Sequence, residues 1–208
     1  MRQVILVIAV LLCFSCESQN RSKTAAVKVG GPCEGCEAIF EYGDRKLSAV
    51  DTLPDFEANE PKLKITGVVY ENDGKTPAKD VILYIYHTNA NGIYPKAQNA
   101  TGWAQRHGYL RGWIKTGVDG RYTFYTFRPA SYPNTTISQH IHITVKEPDK
   151  NEYYIDDFLF DDDPFLTKAE RKNRPNRGGS GIFLPVKRGD IFLIERDIRL
   201  GLNIPDYD

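Results

Sequence analysis

From residue 63 onward the chain is divided into short runs of β-favouring residues by turns of Gly, Asn and Asp, and this punctuation restricts it to a sheet architecture. The runs lie at 63–70, 81–87, 110–116, 121–127, 139–146, 153–160 and 190–200. In the first, Leu63, Ile65 and Val69 share one face, as the two-residue period of a strand requires. The run at 81–87 is almost continuously apolar or aromatic, which suits a central strand covered on both faces. Asn72-Asp73-Gly74, Asn91-Gly92 and Asp119-Gly120 supply turns. Helical periodicity is nearly absent, so the pattern predicts an all-β fold, a β-sandwich of mostly antiparallel strands. One short helix is expected in the C-terminal third, with Asp163 as its cap, Pro164 in its first turn and an end near Arg174-Pro175. The Gly-rich stretch at 176–181 lacks the Lys-Ser/Thr that a phosphate loop needs.

Before this domain the chain changes character. After Arg2 comes an apolar run at 4–14, too short to span a bilayer as a helix but of the length of a secretory signal core. It ends at Ser15-Cys16 and gives way to polar Glu17-Ser18-Gln19, a junction that resembles a bacterial lipoprotein signal. Cleavage before Cys16 would leave that thiol to carry lipid; simple cleavage near Ser18 is the other reading. The expected organisation is a signal peptide at 1–15, a flexible tether at 16–31, an N-terminal segment at 32–61 and the sandwich at 62–208. The expected location is outside the cytoplasm, anchored by lipid to a bacterial membrane on its periplasmic or cell-surface side.

Lys and Arg total 27 and Asp and Glu total 27, so binding of nucleic acid through a field of positive charge is not expected. Export would place the remaining cysteines in an oxidising environment. In the chain left after signal cleavage Cys33 and Cys36 form a lone CxxC, which can be redox-active, half of a metal site or a small structural disulfide. With no second CxxC in the cleaved chain and no surrounding βαβ pattern, a local disulfide stapling the N-terminal segment is the preferred reading.

Two of the four histidines form His140-Ile141-His142. On a strand, residues two apart face the same side, so both imidazoles can reach one metal while Ile141 turns away. Tyr132 lies shortly before this motif and Tyr94 follows the Asn91-Gly92 turn. Two phenols and two imidazoles would offer hard oxygens and borderline nitrogens, a set that favours ferric iron. A phenol ionises near pH 10 when free, so it would need a bound cation to become a ligand at neutral pH. Most of the twelve tyrosines suit strand packing, and spacing alone does not single these two out.

A longer ordered series does. It comprises Gly67-Val68-Val69, Asp73-Gly74-Lys75-Thr76-Pro77, Val81-Ile82-Leu83-Tyr84-Ile85-Tyr86, Gly92-Ile93-Tyr94 and Leu110-Arg111-Gly112. It continues through Asp119-Gly120-Arg121-Tyr122-Thr123-Phe124 and Arg128-Pro129-Ala130-Ser131-Tyr132-Pro133 to His140-Ile141-His142. Over about residues 62–165 this series resembles the intradiol ring-cleavage dioxygenases, non-haem ferric enzymes related to protocatechuate 3,4-dioxygenase and catechol 1,2-dioxygenase. The resemblance implies a β-sandwich core, Fe(III) held by Tyr94, Tyr132, His140 and His142, and a small aromatic diol and O2 as substrates. It also implies that Tyr132 acts as a base toward the diol, and that ring opening gives a muconate-type diacid. Homo-oligomers are common in the family.

Three departures stand out. An Arg usual three residues before the first His is Ile137, a Gln on the next strand aligns with Asp157, and a Trp before the first Tyr is Tyr86. Asp157 is therefore a candidate substrate contact. Arg106 or His107, in the segment that borders the site, is a candidate for the missing positive charge. The competing expectation is a non-catalytic, transthyretin-like sandwich lipoprotein that binds carbohydrate or a protein partner, for which paired Gly-Val and Asp-Gly segments also speak.

Overall fold

The computed structural model describes residues 26–207. Among these residues the first half forms β1 (Val50–Thr52), β2 (Lys62–Tyr70), β3 (Ile82–Tyr86), α1 (Ala104–His107), β4 (Arg111–Lys115) and β5 (Arg121–Phe127). There follow β6 (His140–Lys146), β7 (Glu152–Tyr154), β8 (Phe158–Phe160), α2 (Lys168–Lys172), β9 (Ile182–Phe183), β10 (Val186–Arg188), β11 (Ile191–Glu195) and β12 (Ile198–Arg199). One sheet runs β1-β5-β2-β11-β10, with β12 also on β2; the other runs β4-β3-β6-β8-β9, with β7 also on β6.

Ile65, Phe124 and Ile194 from the first sheet pack in one apolar cluster with Leu83, Ile85, Ile141, Ile143 and Val145 from the second. That shared core makes the fold a β-sandwich, as the turn punctuation predicts. Each fully buried side chain of this kind contributes roughly 1.5–3 kcal/mol relative to exposure. The long pairings, β2 with β5, β3 with β4 and β3 with β6, are antiparallel. The run at 81–87 is a central strand as expected, with Leu83, Tyr84 and Ile85 wholly buried.

Two expected strands are interrupted, each for a local reason. In the 153–160 run, Thr144 pairs with Tyr154 while Ile141 pairs with Phe158. Two residues of β6 therefore face three of its partner, which is a β-bulge at 155–157. Strict alternation would put Ile155 and Asp157 on one face; the bulge sends Ile155 into the core and leaves Asp157 on the other side. In the 190–200 run the break falls at 196–197, where the Arg196 carbonyl crosses so close to Gly67 that any Cβ there would collide with it.

The single expected helix is also corrected. It is the short α2, capped by Thr167, whose Oγ1 accepts from the Glu170 amide at 3.1 Å, not by Asp163. Asp163 instead closes the preceding turn and accepts from the Gln139 amide at 2.6 Å. A further one-turn helix, α1, was not foreseen.

The signal peptide, Cys16 and most of the expected tether lie outside the described residues. The tether does not reach 31: Val27 bridges Lys150, Val29 is buried, and the Gly30 amide donates to the Pro205 carbonyl. The 32–61 segment is integral to the sandwich. β1 adds to the edge of β5 while the Lys115 amide on β4 donates to the Ser48 carbonyl and the Trp113 amide to Asp51 Oδ2. Cys33 and Cys36 are joined by a disulfide. Among the described residues no helix is long and apolar enough to cross a membrane.

Candidate metal centre

β6 places His140 and His142 on one face and Ile141 in the core, the arrangement that strand alternation predicts. Two loops bring the phenols to the same point. The Tyr94 loop is shaped by Asn89, whose Oδ1 accepts from the Asn91 and Ile93 amides. Gly92, at a φ of 74°, lets it pack on the Tyr132 loop, since a side chain there would collide with the Ser131 carbonyl. Thr88 Oγ1 donating to the Ala130 carbonyl at 2.6 Å ties the two loops again.

The result is a ring of four close contacts. Tyr94 Oη lies 2.5 Å from Tyr132 Oη and 2.9 Å from His142 Nε2. Tyr132 Oη lies 3.1 Å from His140 Nε2, and the two Nε2 atoms are 3.1 Å apart. The second nitrogen of each imidazole decides what these contacts mean. His140 Nδ1 sits 2.7 Å from the Ser138 carbonyl, which can only accept, so that nitrogen carries the proton. His142 Nδ1 faces Asp157 Oδ2 at 3.3 Å. Both Nε2 atoms therefore present lone pairs toward the centre. Two phenolic protons remain to serve four contacts, so at least two contacts bring lone pairs together.

A cation at this point removes the conflict. Among the described residues no group of three or more His, Cys, Asp or Glu converges for a metal, so the two phenols are needed to complete the donor set. Two neutral imidazole nitrogens and two phenol oxygens fit a hard, highly charged ion such as Fe(III). Burial raises both Tyr94 and Tyr132 above the ordinary phenol range. Burial and the neighbouring His142 lower His140, favouring the neutral ring that a ligand must be.

Asp157 lines the space beside the centre, but its carboxylate is engaged and not free for a substrate. The bulge turns it under His142, where it fixes the ring's tautomer. Burial works to raise its carboxyl, but His142, His140 and Arg174 together hold it below the usual range. His107 is not a positive charge for substrate either. It is buried, its Nδ1 pairs with Tyr84 Oη at 2.9 Å, and burial pushes it down to about 4. Its ring stacks on Tyr86 at 3.8 Å, and Tyr86 in turn stacks on His142 at 4.5 Å. Arg106 does border the site, over Trp103 at 5.3 Å, but its guanidinium is paired with Glu34. Ile137 is exposed and has no part in the cluster. Glu34 was missed by sequence reasoning; its partner stands 72 residues away, and no local pattern announces such a contact.

No established family profile matches the chain. Over 86 residues it is 40% identical to catechol 1,2-dioxygenase 1 of Acinetobacter lwoffii, a match covering 41% of this chain and 26% of that protein. The chain thus spans about a quarter of the length of that curated relative. Among solved structures, the dioxygenase domain of a dioxygenase–carbohydrate-binding protein fusion from Streptomyces sp. SirexAA-E superposes with a TM-score of 0.55 at 22% identity, covering 77% of this chain and 94% of that one. Catechol 1,2-dioxygenase from Acinetobacter sp. ADP1 gives 0.53 at 16% identity, over 73% of this chain and 56% of that one. 3-Chlorocatechol 1,2-dioxygenase from Rhodococcus opacus 1CP gives 0.55 at 18%, over 77% and 67%. Matched segment and shared fold together bear out the resemblance to the intradiol ring-cleavage dioxygenases.

Proposed function

We propose that this protein is a non-haem Fe(III) intradiol dioxygenase that cleaves a catechol-like aromatic with O2 to a muconate-type product. The carrying observation is the convergence of Tyr94, Tyr132, His140 and His142 with too few protons for their contacts. Bound there, Fe(III) would supply Lewis acidity toward the phenols and the diol. His140 and His142 offer Nε2 lone pairs that Ser138 and Asp157 hold in place. Tyr132 Oη borders the cavity and, once ionised, would be the base that takes a proton from a diol hydroxyl. Tyr86 and Trp103 line the same cavity. A sandwich that only binds a partner has no need of this donor set.

The same proposal includes export, lipid on Cys16 and attachment to a bacterial membrane, which the Cys33–Cys36 disulfide suits. Intact mass of the purified mature protein tests that part.

The decisive measurement is a visible spectrum after loading with ferric iron, followed by oxygen uptake with a panel of catechols. Tyrosinate bound to Fe(III) gives a red-to-purple band, which Tyr132→Phe should weaken or shift. A colourless protein that takes up no iron would sink the enzyme and leave the binding-module reading.

A further inference from the structure

Two cavities meet at the proposed centre. The smaller, of about 210 Å³, is bordered by Tyr94, Tyr132, Trp103 and Arg106. The larger, of about 270 Å³, lies under the disulfide loop and is bordered by Cys33, Cys36, Thr144 and Tyr154. Tyr86, His142 and Glu34 border both, so the two spaces adjoin. A bare diol ring with its oxygens toward Tyr94 and Tyr132 makes no use of the larger cavity. That space is available to a substituent on the ring.

The lining of the larger cavity is acidic. It contains the carboxylates of Glu34 and Asp157 and no Lys or Arg. Asp157 is engaged with His142, which leaves Glu34 as the charge a substituent meets. Glu34 is one of the two residues enclosed by the Cys33–Cys36 disulfide, so its backbone is fixed beside the site. Its partner Arg106 approaches from the smaller cavity, and both side chains are largely exposed, at 74% and 62%. An ion pair so open to water is weak and readily exchanges partners. Arg177, which stacks on Tyr154 at 4.0 Å, does not compete, because it is buried and donates to the Gly30 and Tyr154 carbonyls.

We propose that the larger cavity is the subsite for a ring substituent, and that Glu34 selects catechols bearing an alkylammonium arm over those bearing a carboxylate. The inference rests on the dioxygenase reading of the adjoining centre and names its substrate class. An ammonium arm gains the Glu34 carboxylate. A carboxylate arm meets like charge there.

The test is anaerobic titration of the iron-loaded full chain, so that binding is seen without turnover. The probes are catechol, 4-(2-aminoethyl)catechol and 3-(3,4-dihydroxyphenyl)propanoate. The readouts are the visible band and tryptophan fluorescence, since Trp103 borders the smaller cavity. The aminoethyl compound should bind about tenfold more tightly than the propanoate. Glu34→Gln should bring the two within about twofold of each other, and Glu34→Lys should reverse their order. Equal binding of the two arms to the wild type, a preference for the propanoate, or a ratio unmoved by either substitution overturns the subsite. Those results leave the dioxygenase reading standing if catechol itself binds and perturbs the band. Absence of any band with iron overturns that reading, and the subsite with it.

Discussion

Two pairs of tyrosines meet at different ends of this sandwich, and they are used in opposite ways. Beneath the C-terminus, Tyr153 and Tyr207 both donate to Glu147, at 2.5 and 2.8 Å, so each phenolic proton has its own carboxylate oxygen. Burial, reinforced by Glu147, raises both phenols, and nothing about the cluster asks for a cation. Tyr94 and Tyr132 face each other and two imidazole lone pairs, with no carboxylate among their direct partners. Two phenolic protons serve four contacts, so two of those contacts are left with lone pairs facing each other. The residue type is the same; what differs is whether the cluster satisfies its own hydrogen bonds or leaves lone pairs facing one another.

That contrast can be broken experimentally. The largest effect is expected from His142→Ala, which should lower activity by about 10³-fold or more and abolish the visible band, while stability changes by less than about 1 kcal/mol. Glu147→Ala should do the reverse. It strands the buried phenol of Tyr153 and the half-buried one of Tyr207, costing about 2–3 kcal/mol or roughly 5–10 °C in Tm, and leaves the band of the iron-loaded protein where it was. Asp157→Asn should weaken iron affinity by about 10–100-fold, read by competition with a chelator, without removing any atom of the donor set.

The comparison extends to the imidazoles, with the smallest effect. Burial pushes both His87 and His107 down to about 4, so both are neutral in the fold, whereas an unfolded chain takes up these protons below about 6.5. Between those values the unfolded state binds more protons, so stability falls on acidification from pH 6.5 toward 4 and recovers as pH rises. Tm measured across this window should show that slope, and His107→Gln should flatten it.

The parts of the molecule governed by short-range periodicity were legible in advance. Alternation put His140 and His142 on one face and Ile141 in the core, and the apolar run at 81–87 marked the central strand. Tyr94 and Tyr132 could be chosen from twelve tyrosines only by resemblance, because the loops that bring them together are set by contacts between chain segments some forty residues apart. Asp157 stood out in the sequence, but as a substrate contact and not as the partner of His142. One extra residue in the bulge at 155–157 decides which way it faces, and a strand pattern carries no mark of that extra residue. Glu34 depends on a contact across 72 residues and had no local signal at all.

The strap at 48–53 has a practical consequence for anyone trimming this chain. Turn punctuation suggests a domain beginning at 62, yet that cut would strip β5 of its β1 neighbour and β4 of the Ser48 and Asp51 contacts. Both sheets would then end in bare strands on the same side, each offering unpaired amides and carbonyls to the next molecule. A fragment starting at 62 should therefore self-associate and sediment as large species, where one starting at 26 stays dispersed. The N-terminal segment is the molecule's guard against sticking to copies of itself.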